Sequence, residues 1–284
     1  MEIGIVGAGK VGCSIGKYLC EHGRPVAGYF SRSKESVEFA ATFTGTKGFS
    51  TLEELTAASS ILFIATPDDT IFKVWEEIKK QSIQGKIICH FSGSLSSVVF
   101  SDIEQTGASG CSIHPMYAFS NKKNSYEKLN SVLFTAEGEE AALAVVVPLF
   151  RQLGNSVSTI HRESKARYHA AASMVSNMMV GLYQMGVDML VSCGMEEDEA
   201  GRLVKPLVKG NMETVLSRSP KEALTGPIER NDIGTVEKHL AVLSRRERDV
   251  YEKLGQMVVE IAKKKNPDRD YTAISDRLRM GGSR

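Results

Sequence analysis

The sequence opens with a short apolar run that leads directly into a glycine-rich turn and then into a helical pattern. Residues 3–6 are Ile-Gly-Ile-Val, and the turn consists of Gly7, Ala8, Gly9, Lys10, Val11 and Gly12. In a G-x-G-x-x-G turn between strand and helix, the first glycine permits the tight turn and the second admits a pyrophosphate, while the third lets helix and strand pack closely. The turn therefore predicts a dinucleotide-binding domain. The alternative is a glycine turn that binds no ligand.

Apolar runs and helical patterns alternate through the first 160 residues. Further strand-like runs occupy residues 25–30, 61–65, 86–91, 109–114, 132–136 and 157–160. Helical patterns lie between several of them, at residues 11–21, 34–43, 69–81 and 139–153. Strands that alternate with helices predict a mostly parallel sheet with helices on both faces. We therefore expect a Rossmann-type α/β domain over residues 1–160.

After residue 160 the pattern is helical throughout, which predicts an all-helical domain over residues 161–284. The expected helices are residues 164–193, residues 196–216, one or two helices over residues 233–264, and a short helix over residues 268–279. A helix over residues 164–193 would be about 45 Å long, and methionines and leucines keep it apolar most of the way round. A second subunit is the natural cover, so we expect a homodimer. The alternative is a solitary bundle with a methionine-filled core.

The bulk composition excludes several classes of function. The 284 residues suit two domains, and a net charge of +1 gives no general attraction to nucleic acid or to an anionic membrane. Five cysteines, an odd number and none of them in a C-x-x-C pair, argue against a disulfide framework or a zinc site and favour the reduced thiols of a cytoplasmic protein. Polar residues or a proline interrupt the most apolar windows, and no charged leader precedes the first strand. We expect no signal peptide, membrane span or metal.

The end of the second predicted strand indicates which dinucleotide fits. An NAD site places a carboxylate there, about 20 residues after the glycine turn. This chain instead has Ser31, Arg32 and Ser33, and Glu35 falls inside the next predicted helix. Two hydroxyls and a guanidinium fork can hold the 2′-phosphate of NADP. We therefore expect NADP(H), the alternative being a solvated turn whose serines cap the helix.

Small or polar residues also follow the later strands, where an open parallel sheet presents its ligand crevice. They are Ala65, Thr66 and Pro67 after one strand, Ser92 after the next, and His114 at the end of a third. Thr66 and Ser92 can line the nicotinamide and its ribose. His114 is either a crevice residue or a histidine of the core.

Four polar side chains, Lys165, His169, Ser173 and Asn177, recur at every fourth position of the first long helix of the helical half. On a regular helix each step drifts by about 40°, so the four form one winding stripe. Hydride transfer to a carbonyl or an imine needs a proton donor, a polarising hydrogen bond and an anchor for the substrate. His169 or Lys165 can donate the proton, and Ser173 and Asn177 suit neutral hydrogen bonds. The alternative is a buried network that fixes helix packing.

A polar loop at residues 224–235 contains a second candidate group. A Gly-Pro pair breaks the chain there, and Asp232 or Asn231 can cap the helix that follows. Capping does not account for Arg230, which can bind a substrate carboxylate if the loop faces the crevice.

Four motifs recur together in one known family: the glycine turn, the pair His114-Pro115, the run Tyr168-His169-Ala170-Ala171 with Asn177, and the loop Thr225-Gly226-Pro227 with Arg230, Asp232 and Thr235. In these motifs the chain resembles, over nearly its whole length, two-domain oxidoreductases with a Rossmann-like N-terminal domain and a helical C-terminal domain long described as of unknown function. It is more distantly similar to the group of 6-phosphogluconate dehydrogenase, pyrroline-5-carboxylate reductase and ketopantoate reductase. The resemblance implies NADP-dependent reduction and commonly dimers, with His114, Arg230, Asp232 and Thr235 near the substrate.

The resembled family includes an alternative form of ketopantoate reductase, which makes the pantoate used for pantothenate and coenzyme A. The resemblance therefore implies a small 2-oxo acid substrate, with ketopantoate as the most concrete one. Common ketopantoate reductases carry a lysine and an asparagine four residues apart on this helix. Here Lys165 is followed at that spacing by His169, so His169 and Asn177 carry more weight than Lys165. The alternatives are an imine reductase, a prephenate-type dehydrogenase, and a non-catalytic protein that senses NADP(H).

Overall fold

The computed structural model describes residues 1–279 and contains two compact units, Met1–Ser176 and the chain from Asn177 onward. The first unit is built on an eight-stranded sheet in the order β3-β2-β1-β4-β5-β6-β7-β8. The strands are β1 (Ile3–Val6), β2 (Val26–Phe30), β3 (Lys47–Gly48), β4 (Ile61–Ile64), β5 (Ile87–His90), β6 (Ser109–Pro115), β7 (Phe134–Gly138) and β8 (Val157–Thr159). Neighbouring strands pair in parallel except β6 with β7. The order of the first six strands, 3-2-1-4-5-6, is that of the Rossmann fold.

Helices cover both faces of this sheet, as the alternating sequence pattern predicts. They are α1 (Lys10–Glu21), α2 (Lys34–Thr44), α3 (Leu52–Ala57), α4 (Asp68–Ile78), α5 (Glu140–Gln152) and α6 (Lys165–Ser173). Successive residues of a strand point to opposite faces, and in β4 the side chain of Phe63 joins one apolar core while Leu62 and Ile64 join the other. Both faces of the central strands are therefore buried, and the α/β class predicted for this half of the chain is confirmed.

Two short elements of this unit, β3 and α3, are absent from the sequence prediction. A strand of two residues is too short to show a periodicity. Helix α3 does carry a local signal: Thr51 accepts a hydrogen bond from the N–H of Glu54, and the Glu54 side chain accepts one from the N–H of Thr51. This is a capping box, which the sequence Thr-x-x-Glu announces.

The segment predicted as a single helix over residues 164–193 is divided. Helix α6 passes into a π-helical turn at Met174–Met178, and α7 (Met179–Ser192) follows. A π turn holds one residue more per hydrogen-bonded ring than an α-turn and occurs frequently at functional sites. The regular four-residue stripe therefore ends at Ser173, and Asn177 lies inside the π turn. The last strand ends at Thr159, whereas the first compact unit extends to Ser176, so the boundary at residue 160 stays a prediction.

The second unit is helical in its described residues, as predicted. After α7 it contains α8 (Glu197–Ser217), α9 (Pro220–Ala223), α10 (Ile233–Val242), α11 (Arg245–Lys265) and α12 (Thr272–Arg279). Helices α10 and α11 are separate because Ser244 caps α11 in a capping box with Glu247. Side chains of α10, α11 and α12 form the core of this unit, among them Val236, Val259 and Ile274. Over residues 1–279, no helix is both long and apolar enough to cross a membrane.

Candidate active site

The glycine turn between β1 and α1 has the geometry that its sequence predicts. Gly7 has a positive φ of 111°, and a Cβ placed there would lie 2.8 Å from the carbonyl oxygen of Ala65. A Cβ on Gly12 would lie 2.0 Å from the carbonyl oxygen of Gly7, so this glycine permits the contact between helix and strand. A Cβ on Gly9 would meet nothing within 4 Å. Two glycines thus allow close packing, and the middle one faces open space, where a ligand can approach the backbone.

A cavity of about 260 Å³ opens beside this turn, at the carboxyl ends of β1, β2 and β4. Gly7, Ala8, Gly9, Ser31, Arg32, Ala65, Thr66 and Pro67, all predicted as cofactor-binding residues, line it. The buried hydroxyl of Thr66 has no hydrogen-bond partner among residues 1–279. A backbone cradle, a cation and an orphaned hydroxyl around one cavity fit the phosphates and sugar of a dinucleotide.

Four of the predicted cofactor-binding residues lie beside this cavity rather than in its lining. Lys10 is exposed at the first turn of α1, and Val11 packs partly buried against the core. Gly12 packs against Gly7 as described. Ser33 caps α2 by accepting a hydrogen bond of 3.1 Å from the N–H of Ser36. The cap matches the alternative role of this serine, and its contact with a 2′-phosphate stays a prediction.

The loops after β4 and β5 are tied together at the same edge of the sheet. Asp68, at the start of α4, accepts hydrogen bonds from the hydroxyl of Ser92 at 2.8 Å and from that of Ser94 at 2.6 Å. The Ser92 hydroxyl also accepts from the N–H groups of Ser94 and Leu95. Ser92 therefore shapes the loop that carries Gly93, and its predicted contact with the cofactor is not tested by these bonds.

A cluster of three aromatic side chains surrounds Gly93. The hydroxyl of Tyr168 lies 2.8 Å from Nδ1 of His114, and the His114 and His169 ring centroids are 6.2 Å apart. A Cβ placed on Gly93 would lie 2.5 Å from Cδ2 of His169 and 2.8 Å from Nε2 of His114. The structure thus brings two predicted site residues together with two that the predicted set omits, Tyr168 and Gly93. Sequence reasoning had a signal for Tyr168, because it is part of the family motif, but none for Gly93.

The His114 ring is neutral at physiological pH. Burial, the charge of Lys165 and the charge of His169, in that order, lower its pKa from 6.5 to about 4. The phenol hydrogen of Tyr168 has two acceptors, Nδ1 of His114 at 2.8 Å and the sulfur of Met116 at 3.8 Å. We assign the tautomer in which Nδ1 accepts the shorter of these bonds, because an imidazole nitrogen is a better acceptor than a thioether sulfur. In this tautomer Nε2 carries the ring hydrogen, and His114 presents an N–H donor beside Gly93.

Lys165 is buried beneath this cluster rather than exposed on the helix. Its side chain is 2% exposed, and its ammonium donates a hydrogen bond to the hydroxyl of Ser112 on β6. Burial lowers its pKa, while the negative charge of Glu137 acts in the opposite direction. Ser173 is partly exposed and Asn177 is exposed, so the four stripe residues do not share one environment. The roles of Ser173 and Asn177 as hydrogen-bond donors stay predictions.

The polar loop of the second unit is organised by a helix cap. Asp232 accepts hydrogen bonds from the N–H of Thr235 at 3.0 Å and from its hydroxyl at 2.6 Å, and these bonds lower the pKa of the Asp232 carboxyl. Asn231 holds the loop by donating to the carbonyl oxygen of Asp270. Arg230 is exposed. Capping accounts for Asp232 and Thr235, and the assignment of Arg230 to a substrate carboxylate stays a prediction.

Comparison with known proteins agrees with the two-part organisation. Residues 1–115 match the family model of a Rossmann-like domain, and residues 132–258 match the model of a domain of unknown function, DUF2520. No curated protein matches the chain. The resemblance inferred from the motifs is thereby confirmed at the level of the two domains.

Solved structures resemble the fold along most of its length. Protein TM1727 from Thermotoga maritima is 26% identical over 92% of this chain and 98% of its own, with a TM-score of 0.72. A candidate NADP oxidoreductase, BF3122 from Bacteroides fragilis, is 22% identical over 91% of this chain and 98% of its own, with a TM-score of 0.71. An imine reductase from Myxococcus stipitatus in complex with NADP⁺ is 17% identical over 98% of this chain and 99% of its own, with a TM-score of 0.61. At these identities the last two likenesses show the fold alone.

Proposed function

Because the chain joins a Rossmann-like domain to a DUF2520 domain, we propose that it is an NADP-dependent oxidoreductase that reduces a small 2-oxo acid, with ketopantoate as the first substrate to test. A homodimer in the cytoplasm is part of the proposal. The observation that supports the oxidoreductase function is the arrangement of two groups of residues along one edge of the sheet. The glycine-turn cavity lies at the ends of β1, β2 and β4, and the cluster around Gly93 lies at the ends of β5 and β6.

The strand order supports this arrangement. Strand β4 lies between β1 and β5, and β6 is next to β5, with neighbouring strands about 5 Å apart. A dinucleotide whose phosphates rest on the glycine turn extends along this edge, because open α/β sheets bind ligands outside the carboxyl ends of their strands. The Asp68 contacts with Ser92 and Ser94 join the two parts of the edge.

In this proposal the backbone of Gly7–Gly12 holds the pyrophosphate, and Ser31, Arg32 and Ser33 hold the 2′-phosphate. When bound, NADPH supplies the hydride. His169 donates the proton to the substrate oxygen, and the neutral His114 donates a hydrogen bond from Nε2 that polarises the carbonyl. Tyr168 orients His114 through Nδ1. Lys165, predicted as a second proton donor, is buried, which favours His169 for that step.

A second candidate function is imine reduction. It is supported by the likeness of the fold to the imine reductase from Myxococcus stipitatus. The two candidates differ in the atom that accepts the proton. Reduction converts a carbonyl oxygen into a hydroxyl and an imine nitrogen into an amine. The other two candidate functions are a prephenate-type dehydrogenase and a non-catalytic NADP(H) sensor. One assay can distinguish all four.

The test is to follow NADPH absorbance in the presence of ketopantoate, other small 2-oxo acids, cyclic imines and, in the oxidative direction, prephenate. The proposal expects NADPH oxidation with a 2-oxo acid and a preference for NADPH over NADH. His169→Gln should lower kcat while the Kd for NADPH stays unchanged. His161→Gln, at an exposed position before α6, is the matched control. Turnover of imines alone would favour the second candidate, and NADPH binding without any oxidation would favour the sensor.

A further inference from the structure

A row of polar side chains crosses three adjacent strands of the buried sheet. His90 on β5 is in register with Ser112 on β6, and Ser112 is in register with Glu137 on β7. Residues in register share a face of the sheet, and these three are 0%, 0% and 2% exposed. Polar groups at such positions cost free energy unless they have partners. The row therefore requires a partner from the helix layer above it.

Lys165 of α6 supplies a partner for Ser112, the central member of the row. Its ammonium donates a hydrogen bond to Ser112 in the centre of the row. The Glu137 carboxylate lies at the next register position and is held in place by Ser97, which donates from its N–H and from its hydroxyl, each at 2.8 Å. A fixed negative charge beside the buried cation offsets part of the cost of removing the ammonium from water.

Resting on the function proposed above, we propose that Lys165 is a positioning residue whose ammonium, seated on the His90–Ser112–Glu137 row, holds helix α6 so that Tyr168 and His169 meet His114 and Gly93. The role differs from that of a proton donor, because the ammonium is enclosed by the sheet. It acts on the reaction through the two aromatic residues that follow it on the same helix.

The spacing of the two elements supports this role. Tyr168 and His169 follow Lys165 by three and four residues, so all three share one helix face, and His114 follows Ser112 by two residues, so both share one sheet face. Four helical residues span about 6 Å and two strand residues about 6.6 Å. The Lys165–Ser112 contact and the Tyr168–His114 contact are therefore two successive contacts between α6 and β6. Loss of the Lys165–Ser112 contact would allow the Tyr168–His114 contact to shift.

The buried charge also acts on His114 directly. Besides Lys165, the titratable or charged groups that face His114 are His169 and Tyr168 from α6, His90 from β5 and Asp68 from α4; Glu137 on β7 faces Lys165 itself. Burial and the Lys165 charge both lower the pKa of His114. Lys165 thus positions the cluster and adds to the effect of burial in lowering the pKa of His114. A purely structural lysine elsewhere would leave this titration unchanged.

The experiment replaces Lys165 by methionine, which keeps an unbranched side chain one atom shorter and removes the ammonium. Arg167→Met is the matched control, because Arg167 is an exposed cation on the same helix. The imidazole signals of His114 and His169 are titrated by NMR, and kcat, KM and the Kd for NADPH are measured. Lys165→Met should raise the pKa of His114 and lower kcat about tenfold to a hundredfold, the range expected for a displaced catalytic group. The Kd for NADPH should stay within about twofold in the same variant, since the cavity is built by other elements.

A second variant covers the case in which Lys165→Met does not fold. Ser112→Ala keeps the charge and removes the hydrogen bond, so it should lower kcat with a smaller change in the His114 titration. Unchanged His114 titration and unchanged kcat in both variants would overturn the inference. If the wild-type protein binds NADPH but reduces no acceptor, the proposed function fails, while the NMR titration still tests the position and charge of Lys165.

Discussion

The hydroxyl of Tyr168 lies 2.8 Å from Nδ1 of His114, and the two rings meet edge to face with centroids 5.6 Å apart. This contact joins helix α6 to the end of strand β6. In the tautomer assigned above, the phenol donates to Nδ1 and the ring hydrogen lies on Nε2. A tyrosine outside the predicted set of site residues therefore orients the imidazole of His114 at the end of β6.

Tyr168→Phe should lower kcat about tenfold or more, which is the cost of losing one oriented hydrogen bond at a reacting centre. The ring and its packing are kept, so the Kd for NADPH and the melting temperature should stay close to those of the wild type. The measurement is steady-state kinetics with the best 2-oxo acid. Tyr117→Phe, which changes a half-buried tyrosine of the nearby β6–β7 loop, is the control. Equal kcat for Tyr168→Phe and the wild type would remove this contact from the mechanism.

Gly93 makes the meeting of the two imidazoles possible, since a Cβ there would lie within 2.8 Å of both rings. Gly93→Ala should therefore displace His169 or His114 and lower kcat about a hundredfold, because small displacements of catalytic groups are costly. The control is Gly85→Ala, at the turn before β5, where a Cβ would meet nothing within 4 Å. Gly85 has a positive φ, so that variant reports the stability cost of a strained turn without a clash at the site. A Gly93→Ala enzyme with full kcat would contradict the geometry.

The sequence was sufficient for the cofactor half because its signals are local. The turn at Gly7–Gly12 and the strand–helix alternation each lie within one stretch of chain, and they predict the mostly parallel sheet and seven of its eight strands, without β3. Thr66 and His114, polar residues at the ends of strands, lie beside the glycine-turn cavity and beside Gly93, and their roles toward a cofactor or substrate stay predictions. The fold of the cofactor-binding half could be predicted from the glycine turn and the periodicity of apolar residues.

The remainder of the candidate site depends on distances between elements, which periodicity does not contain. A four-residue spacing placed Lys165 and His169 on one helix face, but it could not show that Lys165 is enclosed by β6 while His169 reaches Gly93. The same spacing predicted a regular helix through Asn177, where the chain forms a π turn. Gly93 itself is one glycine among 25, and its role is visible in its neighbours.

Lys122 is a second cation in the glycine-turn cavity and lies outside the predicted set. It comes from the loop between β6 and β7, lines the cavity together with Arg32, and its ammonium lies 5.8 Å from the ring centroid of Phe39. Lys122→Gln should weaken NADPH binding about fivefold, which corresponds to about 1 kcal/mol, and should change NADH binding less. Fluorescence titration with both cofactors measures this. The neighbouring Lys123→Gln is the matched control, and equal losses in both variants would indicate a general charge effect.

One buried and one half-buried histidine make the stability of the fold depend on pH. Burial and the charge of Lys165 lower the pKa values of His90 and His114 from 6.5 to about 4. Between these values the unfolded chain binds protons that the folded chain does not, so the stabilisation is complete above pH 6.5 and is lost as the pH falls toward 4. Each imidazole should contribute about 1–3 kcal/mol. Urea unfolding at several pH values should show this loss. The free energy of unfolding should change less with pH in His114→Gln than in the wild type, and as in the wild type in His161→Gln. A wild-type pH dependence in His114→Gln would contradict the assignment.

The exposed apolar side chains of α7 and α8 support the proposed homodimer. Val180 on α7 is 68% exposed, and Leu203 and Leu207, one turn apart on α8, are 55% and 66% exposed. Large apolar side chains exposed in such number on two helices are typical of an interaction site where they form one patch. Light scattering should give twice the 31.0 kDa chain mass for the wild type. Leu207→Glu should give a monomer because a carboxylate at the interface would lose its water. Val242→Glu, at a similarly exposed position on α10, should leave the dimer intact. A wild-type chain that is monomeric at micromolar concentration would show that these side chains have another role.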